Sequence, residues 1–186
     1  MKHALLAAGL LATAPALAQT YEVDTRHSHT SWSMPHLGLS TYRGKFTRAS
    51  GKVTLDRAAK SGVVEITIDP ASQQSGDERL DKHLASEDFF NVAKFPTIMF
   101  RSTKMHFNGE MPARVEGELT MLGIAKPVAL QVNSFKCIQH PIRKQEVCGA
   151  DATATIRRSE WGIKYGLPGL IDDVKLDLQI EAYRQQ

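Results

Sequence analysis

The feature that most constrains this chain is a two-residue alternation of apolar and polar side chains. It is clearest near the C-terminus, where Val174, Leu176, Leu178, Ile180 and Ala182 alternate with more polar side chains. A period of two is typical of a β-strand with one buried and one wet face. The same alternation recurs at residues 64–68, 98–101, 114–121 and 128–132.

Three further segments, at residues 21–34, 44–55 and 150–157, bring the prediction to about eight strands separated by turn-rich stretches. No helical segments alternate with these strands, so parallel crossovers are not available and the sheet is expected to be antiparallel. Strands of this length must close into a barrel or fold into a sandwich, because an open edge invites aggregation. The prediction is an all-β domain.

One segment interrupts the strand pattern. Residues 75–78, Ser-Gly-Asp-Glu, match a helix capping box with Ser75 as the capping residue, and Leu80 and Leu84 follow at helical spacing. A second short turn is expected from Ser86. The aromatic pair Phe89 and Phe90 is then predicted to dock this helical insertion onto the barrel.

The N-terminus has the three parts of a secretory signal peptide: Lys2, an apolar stretch from Ala4 to Ala14, and Ala16-Leu17-Ala18. We expect residues 1–18 to be removed and residues 19–186 to form one domain in the periplasm or outside the cell. No later segment is long and apolar enough to suggest stable membrane insertion. The formal net charge of +3 is too close to zero to indicate a nucleic-acid-binding protein, for which a strongly basic face is expected.

Two cysteines, Cys137 and Cys148, lie in the predicted domain. An oxidising compartment allows such a pair to close, and the sequence between them contains Pro141 and several charged residues, as in an exposed hairpin end. We predict one structural disulfide. A redox-active pair is the alternative, but such cysteines usually stand closer, as in Cys-x-x-Cys.

Three histidines near the predicted start of the domain are candidate metal ligands or catalytic groups: His27, His29 and His36. His27 and His29 would share one face of a strand, but the sequence offers no HExxH or Glu-x-x-His pattern to complete a metal site. It also contains no nucleophile elbow and no phosphate-binding loop. The prediction is therefore a non-enzymatic protein without a metal or cofactor.

The inward-facing positions of the predicted strands are apolar and aromatic. They are Trp32, Met34, Phe46, Ile98, Phe100, Leu119 and Met121. In a small barrel such side chains either fill the interior or enclose one small ligand, and periodicity does not distinguish these outcomes.

Short motifs spread along most of residues 24–174 resemble the YceI-like family of bacterial lipid-binding proteins. They are Asp24-x-x-His27-Ser28, His36-Leu37-Gly38-x-Ser40, Gly44-x-Phe46, Gly51, Asp56, Asp81-x-His83-Leu84, Asp88-Phe89-Phe90, Pro96, Phe100-x-Ser102, Gly117-x-Leu119-Thr120-x-x-Gly123, Lys126-Pro127, Arg158-x-x-Trp161-Gly162, and Asp173 with Val174. Each motif is weak alone, but their order and spacing together are specific.

The resemblance implies an extended antiparallel, eight-stranded, lipocalin-like barrel whose lumen holds a long isoprenoid or other aliphatic chain. It adds Phe89, Phe90 and Trp161 to the expected lumen residues. Trp32 and Trp161 stand where the family more often has phenylalanine. A polar head group would lie at a mouth, where the candidate partners are His36, Arg43, Lys45, Arg48, Arg158 and Lys164.

The function predicted from these observations is periplasmic binding, transport or sequestration of a long-chain lipid. One alternative is a hydrolase or isomerase acting on such a lipid, with His27, His36 or His83 as acid and base. Another is a partner-binding module of a membrane redox or stress system. A homodimer is left open by the sequence.

Overall fold

The computed structural model describes residues 18–186, so the signal-peptide prediction lies almost wholly outside the described residues. Residues 18–186 form eleven strands and one α-helix. The strands are β1 (Gln19–Val23), β2 (His29–His36), β3 (Ser40–Phe46), β4 (Ala49–Asp56), β5 (Ser61–Ile68), β6 (Gln73–Gln74), β7 (Ile98–Asn108), β8 (Met111–Met121), β9 (Ile124–Gln139), β10 (Glu146–Arg157) and β11 (Asp173–Arg184). Helix α1 spans Glu78–Ala85, and short 3₁₀ turns span Pro70–Ser72 and Arg158–Trp161. Within residues 18–186, no helix is long and apolar enough to cross a bilayer.

Eight strands form a closed antiparallel ring in the order β1, β4, β5, β7, β8, β9, β10 and β11. The ring closes where β1 pairs with β11, through Tyr21 opposite Arg184 and Val23 opposite Ala182. The buried core combines inward-facing apolar residues of this ring with side chains from outside it, among them Trp32, Phe46 and Leu84. The prediction of an eight-stranded antiparallel barrel is confirmed.

The long strand β11 carries a second set of strands beyond the ring. Its residues 182–184 pair with β1, whereas residues 175–179 pair with β2. β3 then pairs with β2, and the two-residue strand β6 pairs with β3. At this end of the barrel, β2, β3 and β6 therefore extend the wall beyond β11.

The predicted strand over residues 21–34 is wrong in one respect, because the chain breaks into β1 and β2. At the break Asp24 organises a turn: its carboxylate accepts a hydrogen bond from the Arg26 amide at 3.0 Å and lies 2.8 Å from His27 Nδ1. His27 is thus in a turn and does not share a strand face with His29. The hypothesis that these two histidines could bind one metal ion from a shared strand face is therefore wrong in its premise.

The predicted strand over residues 44–55 is also interrupted, at Thr47 and Arg48. The Thr47 amide and hydroxyl both donate to the Ser72 carbonyl, and the Arg48 amide donates to Ser72 Oγ at 3.0 Å. Because the 3₁₀ turn takes these backbone groups, they are lost to the sheet. The chain changes direction there and starts β4 at Ala49.

The helical insertion is confirmed, but its predicted cap is wrong. Asp77 is the capping residue and accepts a hydrogen bond from the Arg79 amide at 2.8 Å. Ser75 instead donates through Oγ to Asp81 Oδ1 at 2.6 Å, and Gln73 Nε2 donates to the same carboxylate oxygen at 2.8 Å. These bonds tie the start of α1 to β6.

The disulfide between Cys137 and Cys148 is present and joins directly opposed residues of β9 and β10. It lies near the β9–β10 hairpin loop, at the end of the barrel away from β2 and β3. The hairpin position predicted from the sequence is confirmed.

Replacing both Cys137 and Cys148 with alanine is expected to lower the free energy of unfolding by about 2 to 3 kcal/mol, because the bridge closes a short loop in the unfolded chain. Denaturant unfolding monitored by tryptophan fluorescence measures the change. Wild-type protein treated with a reducing agent should match the double variant. A loss below about 0.5 kcal/mol would contradict the prediction.

Candidate functional site

The end of the barrel walled by β2 and β3 contains an apolar cavity of about 230 Å³, here called the first cavity. Its wall is built from inward-facing residues of the strands and from a cover formed by α1, the following turn to Phe90, and residues 163–170. The lining residues are Thr30, Trp32, Met34, His36, Tyr42, Phe46, Ile68, Leu80, His83, Leu84, Phe89, Phe90, Ile98, Leu119, Met121, Ile156, Arg158, Ile163, Tyr165, Leu170, Val174 and Leu176.

A second apolar cavity of about 140 Å³ lies inside the closed ring. The two cavities share four lining residues, Thr30, Ile68, Leu119 and Leu176. Tyr21 lines the second cavity, but its hydroxyl donates to Glu146 Oε1 at 2.8 Å. Burial and that carboxylate raise the pKa of Tyr21 to about 12. The two cavities therefore adjoin at these four shared residues inside the barrel.

The mouth of the first cavity lies between Tyr42 and Tyr165, since both line the cavity while 40% and 48% of these residues, respectively, stay exposed. His36 stacks on Tyr42 with ring centroids 4.1 Å apart. Across the mouth, His83 packs edge-on against Tyr165 at 4.6 Å and Phe89 at 5.0 Å. Aromatic rings therefore frame the entrance from both sides.

Trp32 shapes the first cavity through a close approach to the neighbouring strand. Gly44 lies opposite it on β3, and a Cβ at Gly44 would meet the indole at 2.5 Å. Only glycine leaves room for the ring in this position. The Gly44-x-Phe46 motif thus places two aromatic side chains, Trp32 and Phe46, in the wall.

Among the described residues that line the first cavity, Arg158 is the only arginine or lysine, and it is 4% exposed. Its Nε donates to the Ile171 carbonyl at 3.1 Å, and Nη1 donates to the carbonyls of Ile163 and Tyr165 at 3.2 and 2.9 Å. Burial lowers the pKa of Arg158, and the charge of Asp172 partly opposes this. The guanidinium therefore fixes the 163–171 segment over the cavity.

Three polar atoms of the wall have no hydrogen-bond partner within residues 18–186: Thr30 Oγ1, Trp32 Nε1 and Arg158 Nη2. Each belongs to a residue that is less than a tenth exposed. Because buried polar groups are usually satisfied, an acceptor for these donors has to come from a bound molecule or water. They are unpaired polar groups in a mostly apolar wall.

The structure brings together most of the predicted lumen residues. Eight of them line the first cavity, namely Trp32, Met34, Phe46, Phe89, Phe90, Ile98, Leu119 and Met121, and Phe100 lines the second. Trp161 lines neither cavity: it is 1% exposed, and its Nε1 donates to the Leu119 carbonyl at 2.9 Å. Trp161 therefore supports the wall from behind.

The predicted head-group residues fall into three groups. His36 and Arg158 line the first cavity. Arg48 lies outside it and pairs with Asp69 Oδ2 at 2.6 Å. Arg43, Lys45 and Lys164 are exposed, and none of the ion pairs found in residues 18–186 involves them.

Sequence reasoning did not place several lining residues in the lumen. Strand period places Val174 and Leu176 on an inward face, and helical spacing pairs Leu80 with Leu84, but no sequence pattern indicates that the four meet around one cavity. Tyr42, Tyr165 and Leu170 carried no strand or helix signal. Tyr165 and Leu170 become lining residues because the cover folds back over the barrel end, and Tyr42 does so because β3 pairs with β2 at this end.

Asp172 stabilises the turn that follows β10, next to the cover. Its carboxylate accepts hydrogen bonds from the Ser159 amide at 2.8 Å and the Ser159 hydroxyl at 2.6 Å, and it pairs with Arg157 at 3.3 Å. Burial alone would raise the pKa of Asp172, but these bonds and the arginine charge outweigh it and hold the pKa below its usual value.

Replacing Asp172 with asparagine is expected to destabilise the protein by about 1 kcal/mol at pH 7. Because the folded-state pKa is lowered, the carboxylate contributes stability above about pH 4, its unfolded value, and loses it as pH falls through the folded pKa. The difference between wild type and variant should therefore shrink below pH 4. Urea unfolding at pH 7 and pH 3 measures it, and an equal difference at both pH values would contradict the assignment.

Comparison with known proteins gives a consistent picture. A family model described as the YceI-like domain matches residues 21–182. A UPF0312 protein of Shewanella denitrificans is 35% identical over 184 residues, covering 97% of this chain and 96% of that protein. A UPF0312 protein of Pseudomonas putida strain GB-1 is 34% identical over 188 residues, covering 97% and 95%.

Solved structures share the fold. BcnA of Burkholderia cenocepacia matches with a TM-score of 0.71 at 24% identity, over 86% of this chain and 99% of that one. A polyisoprenoid binding domain from Saccharophagus degradans, implicated in plant cell wall breakdown, matches with a TM-score of 0.66 at 12% identity, over 89% and 98%. At these identities the likeness concerns the fold.

Proposed function

The chain belongs to the YceI-like domain family, and on that premise we propose that it is a periplasmic carrier that binds one long-chain lipid in the barrel lumen. The class of ligand is an isoprenoid or another aliphatic chain. The name of the Saccharophagus degradans domain, a polyisoprenoid binding domain, supports this class. Export rests on the signal-peptide pattern of residues 1–18.

The observation that carries the proposal is the size and apolar character of the first cavity. A cavity of about 230 Å³ lined mostly by apolar side chains has room for part of an aliphatic chain. Such a chain gains about 0.8 kcal/mol for each CH₂ group that it buries. Shape and burial therefore suffice to hold a lipid.

The adjoining cavities favour a long chain over a compact ligand. A tail entering between Tyr42 and Tyr165 would pass Leu119 and Leu176 to reach the second cavity inside the ring. A polar head would stay near His36 and the unpartnered Nη2 of Arg158. Tail length is thus the property that the lumen should select.

The lining of the first cavity does not favour the enzymatic alternative. Its described residues include no serine, cysteine, aspartate or glutamate. His83 is the lining histidine with a carboxylate partner, Asp88 at 2.9 Å, whereas His36 is stacked on Tyr42 and His27 does not line the cavity. Binding an aliphatic chain requires apolar surface and no catalytic side chains, and the lining of the first cavity is mostly apolar.

Native mass spectrometry of protein purified without detergent from its own periplasm tests the proposal. We expect a mass increment that organic extraction removes and identifies as a lipid. Delipidated protein should then take up prenyl and fatty-acyl probes, with affinity rising with chain length until the lumen is full. Protein that carries no lipid and takes up neither probe class would overturn the proposal.

A further inference from the structure

Part of the β2–β3 hairpin projects beyond the barrel. The last residue of β2 that pairs with β11 is Ser33, and β6 pairs with β3 only at Lys45 and Phe46. Among the described strand pairings, residues 34–36 and 40–42 pair only with each other. This projecting part, residues 34–42, is called the arm. Three strand residues span about 10 Å.

The tip of the arm exposes two leucines. Leu37 is 59% exposed and Leu39 is 83% exposed, with Gly38 between them. Leu37 also has a φ of 53°, a left-handed conformation that asparagine or glycine adopts more easily than leucine. Within the described chain neither leucine lines a cavity or belongs to the core. The tip therefore offers aliphatic surface that the fold itself does not use.

The arm and the cavity mouth lie at the same end of the molecule. His36 and Tyr42, which flank the tip, line the first cavity. On the other side of the mouth, Tyr165 and Ile171 are 48% and 44% exposed. Exposed apolar side chains therefore stand on both sides of the entrance.

Positive charge accompanies this apolar surface. Arg43, directly after the arm, is exposed and unpaired in the described chain, and its Nη1 donates to the Thr41 carbonyl at 3.1 Å, which keeps the guanidinium close to the tip. Lys45 and Lys164 are likewise exposed and without an ion pair among residues 18–186. Asp88 of the cover and Asp172 of the neighbouring turn are paired with His83 and Arg157, whereas Glu87 of the cover is exposed and has no ion pair among residues 18–186.

We propose that the arm docks the cavity mouth onto a membrane surface containing anionic lipids, with Leu37 and Leu39 inserted at the headgroup boundary. Aliphatic side chains that enter the interface beside arginine and lysine are typical of reversible membrane attachment. Two leucines offer far less area than the roughly 800 Å² per partner of a stable protein interface. A bilayer needs only this small patch. Docking complements the proposed carriage, but it does not require a cargo.

Vesicle co-sedimentation tests the docking. The protein is mixed with vesicles of phosphatidylethanolamine and phosphatidylglycerol, or with vesicles of phosphatidylcholine alone. We expect binding to the anionic vesicles that weakens with added salt. The double variant Leu37→Asn and Leu39→Ser should bind about tenfold more weakly or worse, and asparagine suits the left-handed conformation at position 37, so the hairpin should form.

The matched control is Ile142→Ser. Ile142 is 85% exposed in the β9–β10 loop at the opposite end of the barrel, and its replacement should leave vesicle binding unchanged. A cysteine placed at position 39 and labelled with an environment-sensitive dye should shift to shorter wavelength on vesicles, whereas one at position 142 should not.

Several results would overturn the docking. They are no binding of the wild type to anionic vesicles, equal binding by the leucine double variant, or equal loss in the Ile142 control. A dimer in sedimentation analysis that disappears in the leucine variant would assign the arm to a second copy of the chain instead. Uptake of soluble prenyl probes by the same variants separates the two proposals, since the tip residues do not line the lumen. Normal uptake without vesicle binding would support lipid carriage and overturn the docking. Vesicle binding without uptake would support the docking and overturn lipid carriage.

Discussion

Replacing Leu176 with tryptophan should weaken lipid uptake about 50-fold or more while leaving the fold intact. Leu176 lines both cavities and lies opposite Trp32. The indole ring of a tryptophan at this position should therefore fill the junction where the two cavities adjoin. Excluding about three CH₂ groups of a chain costs roughly 2.4 kcal/mol, which corresponds to that loss of affinity. Titration with fluorescent prenyl or fatty-acyl probes measures it.

The control for this prediction is Lys175→Trp, one residue earlier on β11. Its side chain is 57% exposed and pairs with Asp177 at 2.9 Å, so an added ring there projects into water. Probe affinity should stay within about twofold of wild type. The melting temperature of the lipid-free Leu176 variant provides a second test. If the added ring overfilled a packed core, the variant would lose about 1 to 3 kcal/mol of stability, whereas a ring that fills a cavity should cause no such loss. Unchanged uptake by the Leu176 variant would contradict a lumen that runs through this junction.

Replacing Arg158 with methionine should lower the free energy of unfolding by about 4 kcal/mol. The substitution removes the hydrogen bonds that a charged donor gives to the carbonyls of Ile163, Tyr165 and Ile171, and each such bond contributes roughly 1.5 to 3 kcal/mol. For a domain of this size the melting temperature should fall by roughly 10 °C. Differential scanning calorimetry of the lipid-free protein measures the change.

Arg157→Met is the matched control for Arg158. The Arg157 side chain is 64% exposed, and its pair with Asp172 is a surface ion pair, which typically contributes less than about 1 kcal/mol. Arg158→Lys separates charge from geometry: a lysine restores the charge, but a single ammonium cannot replace the planar fork that reaches three carbonyls. If the lysine variant is as stable as wild type, the charge and not the hydrogen-bond geometry holds the cover.

Most of the barrel follows from local sequence pattern. The alternation from Val174 to Ala182 identified β11, which pairs with three other strands and determines how the barrel closes. The disulfide also followed from sequence, because its two cysteines flank a short hairpin. These features depend on neighbours in the chain and on the period of the strand.

The strand breaks at 24–28 and 47–48 were not predictable in the same way. Each break depends on hydrogen bonds that local periodicity does not identify, with Asp24 organising one turn and Ser72 taking the backbone groups at the other. The helix cap shows the same effect, since Ser75 matched the capping pattern but bonds to Asp81, which leaves Asp77 as the cap. The alternation of apolar and polar residues indicates which face of a strand is buried. It does not indicate which distant group will take the strand's backbone hydrogen bonds.

The sequence by itself determined which side chains point inward, because strand period assigns faces residue by residue. Whether those side chains fill the interior was decided only by the tertiary structure. The first cavity exists because β2 and β3 extend the wall from β11 beyond the ring at one end, and because Arg158 holds residues 163–171 over that end. A cavity depends on the distances between elements far apart in the chain, and these distances are set by strand number, register and the cover together.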